Sequence, residues 1–189
     1  RFTAADVRRA SYWSLLITPT AGVSYGHFSL WAWASGCEPV GEAIRRQSEY
    51  TLEPWWTVLA TPGAQSMTIL HNFFASGDWW KLRPAQEILA EQPGDDDARR
   101  FIAAARTENG DWTVVYLPTG DSVCLHPGAA NGTSARWFDP RTGHWAAAIP
   151  VDGAGGGDAF VPPDARDWIL DLRQEAVTRA ASGTKLLRD

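Results

Sequence analysis

The chain runs to 189 residues with only two cysteines, one methionine and four tyrosines. It also lacks any cluster of lysine and arginine and any long apolar run. Each shortage excludes something. Cys37 and Cys124 lie far apart and lack the short spacing of a metal site, which leaves one disulfide or two free thiols open and the compartment unread. Seventeen basic against 22 acidic residues give a formal net charge of −5. With the positive residues scattered there is no stripe to neutralise phosphates, so no nucleic acid partner is expected. No apolar stretch nears the roughly 20 residues that cross a bilayer, and the first residues do not read as a secretion signal, so a soluble chain with no membrane partner is expected. Signatures for nucleotide, flavin and metal are missing too, and no cofactor is expected. Asp95, Asp96 and Asp97 lack the Gly and Glu spacing of a calcium loop and read as a solvated linker.

What the chain has in excess is tryptophan, 11 residues. The indole offers a broad flat apolar face and one N–H donor, which suits a sugar ring as well as a protein core. The run "GVSYGHFSLWAWASG", Gly22 to Gly36, gathers a Tyr, a Phe and two Trp around one His with no charge among them. Core strand and ligand-gripping surface are both open readings of it.

The local signals predict helix, strand, long loop, helix. Thr3 and Asp6 have capping-box spacing, Val7, Ala10, Trp13 and Ile17 recur on one helical face, and Pro19 stops the helix. Val23 to Trp33, apolar on both faces, reads as a central strand. Residues 37–60 read as a long irregular excursion with at most a short helix, of the kind that carries function. Thr61 and Pro62 open a second helix with Ala64, Met67, Leu70 and Phe74 on its buried face, ending at Gly77.

Beyond Pro93-Gly94 the periodicity changes to short strands, at 100–106, 111–117, 121–126, 133–138, 144–149, 158–161 and 167–172. Asn109-Gly110 and the segment Asp139 to Gly143 supply hairpin turns. Seven short strands predict a small antiparallel β-sandwich. Trp112, Tyr116, Trp137, Trp145 and Trp168 are expected mainly as core or hairpin packing, with a sugar-binding platform as the other reading.

In order, "DVRRASYWSLL", "GVSYGHFSLWAW", "PGAQSMTILHNFFASGDWWKLRP", "RRFIAAARTENGDWTVVYLPTG" and "ARWFDPRTGHW" resemble the C-terminal end of the apiosidase-like glycoside hydrolases. The likeness spans roughly residues 1 to 173, with Thr18-Pro19-Thr20 where small residues would be expected. It implies an α/β plus all-β chain, in which the C-terminal βα portion of a (β/α)8 barrel is followed by a small antiparallel β-sandwich, sometimes labelled collagen-binding. The implied organisation is a barrel portion at 1–85, a linker at 86–98, a sandwich at 99–173 and a tail at 174–189. Val23 to Trp31 would be the eighth barrel strand.

The resemblance implies a glycoside hydrolase acting on a polysaccharide or oligosaccharide. That chemistry uses two carboxyl groups flanking the scissile bond, and these are expected outside this chain, on earlier strands. Glu38, Glu42, Glu49 and Glu53 read instead as a solvated loop. Because barrel ligands lie at the C-terminal ends of the strands, the resemblance places Tyr25, His27, Trp31 and Trp33 at the substrate, with Trp31 stacking on a sugar and His27 donating a hydrogen bond. The expected partners are a carbohydrate substrate and the N-terminal remainder of the barrel, as further sequence or a separate chain. A secreted or periplasmic location fits such an enzyme, with the cytoplasm left open. The competing reading is a non-catalytic carbohydrate- or protein-binding module.

Overall fold

The computed structural model describes residues 2–37, 52–153 and 156–174. Helix α1, Ala4–Ile17, begins as its sequence dictates. Thr3 accepts a hydrogen bond from the Asp6 amide while the Asp6 carboxylate accepts from the Thr3 amide, closing the capping box. Two short helical turns follow, α2 at Phe28–Trp31 and α3 at Trp55–Val58, and then helix α4 at Pro62–Phe74. Thr61 stands at the N-cap of α4, but its hydroxyl donates backwards to the Val58 carbonyl at 2.8 Å and leaves the helix amides alone.

The strands are β1 (Leu82–Pro84), β2 (Ala103–Thr107), β3 (Trp112–Leu117), β4 (Val123–Cys124), β5 (Thr133–Phe138), β6 (Trp145–Ala147), β7 (Val151–Asp152), β8 (Asp158–Phe160) and β9 (Trp168–Gln174). All pairings are antiparallel. They build a six-stranded sheet in the order β1-β2-β3-β9-β5-β6 and a three-stranded sheet in the order β4-β8-β7. The chain is thus mixed α and β around an antiparallel sheet. Each of the seven expected strand segments contains a strand, and β1 and β7 are additional. Both are too short, at three and two residues, to leave a periodic trace.

Side-chain alternation sends successive residues to opposite faces, and both faces of the large sheet are covered. Val115, Leu117, Trp137, Leu170 and Leu172 face the small sheet, where they meet Val123, Leu125 and Phe160. Trp112, Val114, Tyr116, Phe138 and Ile169 face the helices, where they meet Tyr12, Leu16, Leu70, Phe73 and Phe74. Four of the five aromatics weighed as a platform, Trp112, Tyr116, Trp137 and Trp168, are therefore buried. Trp145 is partly exposed, its ring lying 4.1 Å from the Arg136 guanidinium.

Two expectations are corrected. Val23 to Trp33 contains no strand: residues 21–27 lie outside regular structure and Phe28–Trp31 is helical. A strand needs a ladder on at least one edge to satisfy its amides, and no described strand pairs with this run. The local turn meets the need instead, with Trp31 donating to His27 at 2.8 Å and Ala32 to Phe28 at 3.0 Å. The buried seam of α1 is also not the expected one. Arg8, Tyr12 and Leu16 are buried, whereas Ala10 and Ile17 are exposed and Val7 and Trp13 are half-buried. A buried arginine breaks an apolar-periodicity search, and its burial is made possible by a carboxylate 159 positions away. Cys37 and Cys124 are free thiols. No helix among the described residues is long and apolar enough to cross a membrane.

Candidate functional site

The aromatic run is organised by hydrogen bonds to its own backbone and to the segment after residue 51. His27 sits at the N-cap of α2, where its Nδ1 accepts from the Ser29 amide at 3.3 Å. The buried Ser29 hydroxyl accepts from the Glu53 amide at 3.1 Å, and the Trp55 amide donates to the Ala34 carbonyl at 2.8 Å. These bonds join α2 to α3. Trp33 thereby meets Trp55 edge-to-face, with centroids 5.2 Å apart, and Trp55 meets Trp56 in the same way at 5.9 Å.

Trp31 is 80% exposed and Trp33 69%, an unusual state for so large an apolar surface. Trp33 also holds a left-handed backbone at φ 48°, which costs a side-chain-bearing residue roughly 1–2 kcal/mol. Tyr25 and His27 are half-buried. The Tyr25 hydroxyl lies against Gly63 at the start of α4, only 2.9 Å from where a Cβ would stand, so any larger residue there would displace the ring. Of the four residues expected at a substrate, two are thus exposed indoles and two are half-buried groups with local packing duties. Trp55 and Trp56 were not expected with them. The adjacent pair in "EPWW" was the available signal.

Five carboxyls among the described residues are shifted away from the direction a general acid requires. A catalytic acid needs its carboxyl raised toward neutrality, whereas Asp6, Asp111, Asp121, Asp139 and Asp164 are all held below the ordinary value. Hydrogen bonds to the Thr3 backbone and side chain lower Asp6. Thr107 and Asn109 do the same to Asp111, Arg100 to Asp121, and Arg166 and Trp168 to Asp164. At Asp139 burial alone would raise the carboxyl, but the bonds from Arg141 outweigh it. Glu53 is exposed, while Glu38, Glu42 and Glu49 lie outside the described residues.

Elsewhere, a polar cleft of about 330 Å³ lies between residues 91–96 and Asp121–Cys124. Two of its charged groups, Arg100 and Asp121, are bonded to each other at 2.7 Å. Of the aspartates read as linker, Asp97 caps the following turn by accepting from the Arg99 amide at 3.0 Å. Among the described residues no three His, Cys, Asp or Glu side chains converge to hold a metal.

Residues 1–81 match the family described as "Apiosidase-like, catalytic domain", and residues 83–173 the one described as "Putative collagen-binding domain of a collagenase". No curated protein matches the chain. Among solved structures, one titled "Glycoside hydrolase" superposes with a TM-score of 0.73 at 24% identity over 92% of this chain. A glycoside hydrolase family 5 protein from Bacteroides vulgatus gives 0.72 at 21% identity over 93%. This chain spans 37% of the length of each of those two proteins. At such identities the likeness is one of fold.

Proposed function

Because residues 1–81 match the apiosidase-like catalytic domain family, we propose that this chain forms the C-terminal part of a glycoside hydrolase, in which those residues complete a (β/α)8 barrel and the sheets form its C-terminal sandwich. The family match carries the reading, and two exposed indoles within the matched segment support it. Trp31 and Trp33 form part of the aromatic wall of the sugar site, stacking on the C–H faces of a polysaccharide or oligosaccharide. Tyr25 and His27 line the same wall and donate hydrogen bonds to hydroxyls. The proton donor and the nucleophile or base are two carboxyl groups carried by polypeptide other than this chain, and the enzyme works outside the cytoplasm.

Glycan hydrolysis by this chain alone, compared with a protein whose complete apiosidase-like domain ends in this chain, tests the reading. Hydrolysis is expected only from the second, and Trp31→Ala in it should weaken substrate binding and turnover. Hydrolysis by the 189 residues alone, or full activity in the Trp31→Ala protein, would overturn it.

A further inference from the structure

The helix-facing side of the six-stranded sheet is tied to α1 and α4 at two polar points as well as through the apolar core. At the first, Arg8 of α1 forms two parallel bonds to Asp167, Nε to Oδ2 at 2.6 Å and Nη2 to Oδ1 at 2.9 Å, with both groups buried. The Tyr116 hydroxyl of β3 donates to the same carboxylate at 3.3 Å, and the Arg8 Nη1 lies 3.5 Å from Ser66 Oγ of α4. Tyr12 stacks on Tyr116 with ring centroids 4.8 Å apart.

At the second, Asp171 of β9 is wholly buried and accepts from Trp112 Nε1 at 2.7 Å, from Arg136 and from Arg173. Arg173 lies 4.4 Å from the Trp112 ring and donates to the Ser76 carbonyl at 3.0 Å and hydroxyl at 2.8 Å, just past the end of α4. Gly77 lets that turn approach the same indole, since a Cβ there would lie 2.8 Å from the ring.

We propose that this sheet face is an interaction surface whose partner is the chain's own segment 1–81. The segment matched as collagen-binding is then a buttress that folds with the apiosidase-like segment as one unit, and this face is closed to any external ligand. Three features make it so. A desolvated bidentate pair is costly to break, because separation strands a charge in the interior. Each clamp draws one partner from each segment, Arg8 of α1 with Asp167 just before β9 and Ser76 just past α4 with Arg173 of β9. The apolar residues between the clamps form one continuous cluster drawn from both segments. This cohesion holds whether or not the chain takes part in glycosidic cleavage.

Hydrogen–deuterium exchange of the purified chain across a low-denaturant series tests this. Peptides covering α1 and β3 should lose protection at one common denaturant concentration, and Asp167→Asn should move both down together. Opening of α1 while β3 keeps wild-type protection would overturn the proposal. If Asp167→Asn fails to fold, Arg173→Gln at the second clamp carries the same expectation and the same contrary outcome. A triple-helical collagen peptide added to the wild-type chain should leave α1 and β3 exchange unchanged. Deprotection of α1 by that peptide would mean that the ligand displaces the helices, and would equally overturn the proposal.

Discussion

Arg8 and Asp167, 159 residues apart in sequence, meet in a buried two-pronged ion pair that joins the first helix to the start of the last strand. Burial alone would favour the neutral form of Arg8, and the hydrogen bonds and charge of Asp167 reverse this and raise its pKa. Removing one partner leaves the other charged and dry, so Asp167→Ala should destabilise the chain by about 3–5 kcal/mol. Urea unfolding checks this, and a loss below about 1 kcal/mol, the scale of an exposed pair, would refute it.

Tyr12 presents the opposite case. Its hydroxyl is fully buried with no hydrogen-bond partner among the described residues, and burial raises its pKa. An unsatisfied buried hydroxyl costs roughly 1–3 kcal/mol, while the ring stacks on Tyr116. Tyr12→Phe keeps the stack and deletes the orphan, so it should leave stability unchanged or raise it by about 1 kcal/mol. A marked drop in the thermal midpoint would mean that the hydroxyl has a partner, such as a buried water.

The two kinds of tryptophan should separate on truncation. Trp137 is 2% exposed between the sheets, and Trp137→Ala should cost about 3–5 kcal/mol. Trp31 is 80% exposed, and Trp31→Ala should stay within about 0.5 kcal/mol of wild type. Paired denaturation curves decide it: a Trp31 loss approaching that of Trp137 would place Trp31 in the core and remove it from the sugar wall.

Gly77 should resist even the smallest addition. A methyl there meets the Trp112 ring at 2.8 Å, with 3.0 Å to the next ring atom. The indole is held by its bond to Asp171 and by Arg173 above it, so it cannot swing aside cheaply. Gly77→Ala should destabilise by about 1–3 kcal/mol, the usual scale of overpacking. A neutral outcome in thermal melts would show a looser joint.

Acid should weaken the fold through the lowered aspartates. Asp139 and Asp111 titrate in the folded chain below the roughly 3.9 of an unfolded aspartate. Their contribution is therefore fully present above about pH 4 and is lost as pH falls through their folded values. Asp139→Asn should lower stability at pH 7 and narrow the gap between pH 7 and pH 3. Urea midpoints at the two pH values measure this, and an unchanged gap would show that Asp139 carries none of the acid sensitivity.

Much of the fold was written locally. Thr3 and Asp6 announced the first helix, Pro62 the last, and the hairpin turn at Asp139 to Gly143 forms through amides that bond back to Asp139. These signals survive because capping and turn geometry involve neighbours in sequence. The candidate site was half legible. An uncharged run dense in aromatics pointed to residues 22–36, but not to Trp55, the edge-to-face partner of Trp33, which arrives from beyond residue 51.

The sequence by itself determined where the two longer helices begin and which segments hold strands; it did not determine which tryptophans enter the interior, since Trp112, Trp137 and Trp168 are buried while Trp31, Trp33, Trp56, Trp80 and Trp145 are exposed. Tertiary structure decided which face of the first helix is buried, that Val23 to Trp33 contains a helical turn and no strand, and that the large sheet is covered on both sides. The physical reason is the same in each case. Burial of Arg8 depends on a carboxylate 159 residues distant, and a strand depends on a neighbour to pair with, so neither is encoded within the stretch that displays it.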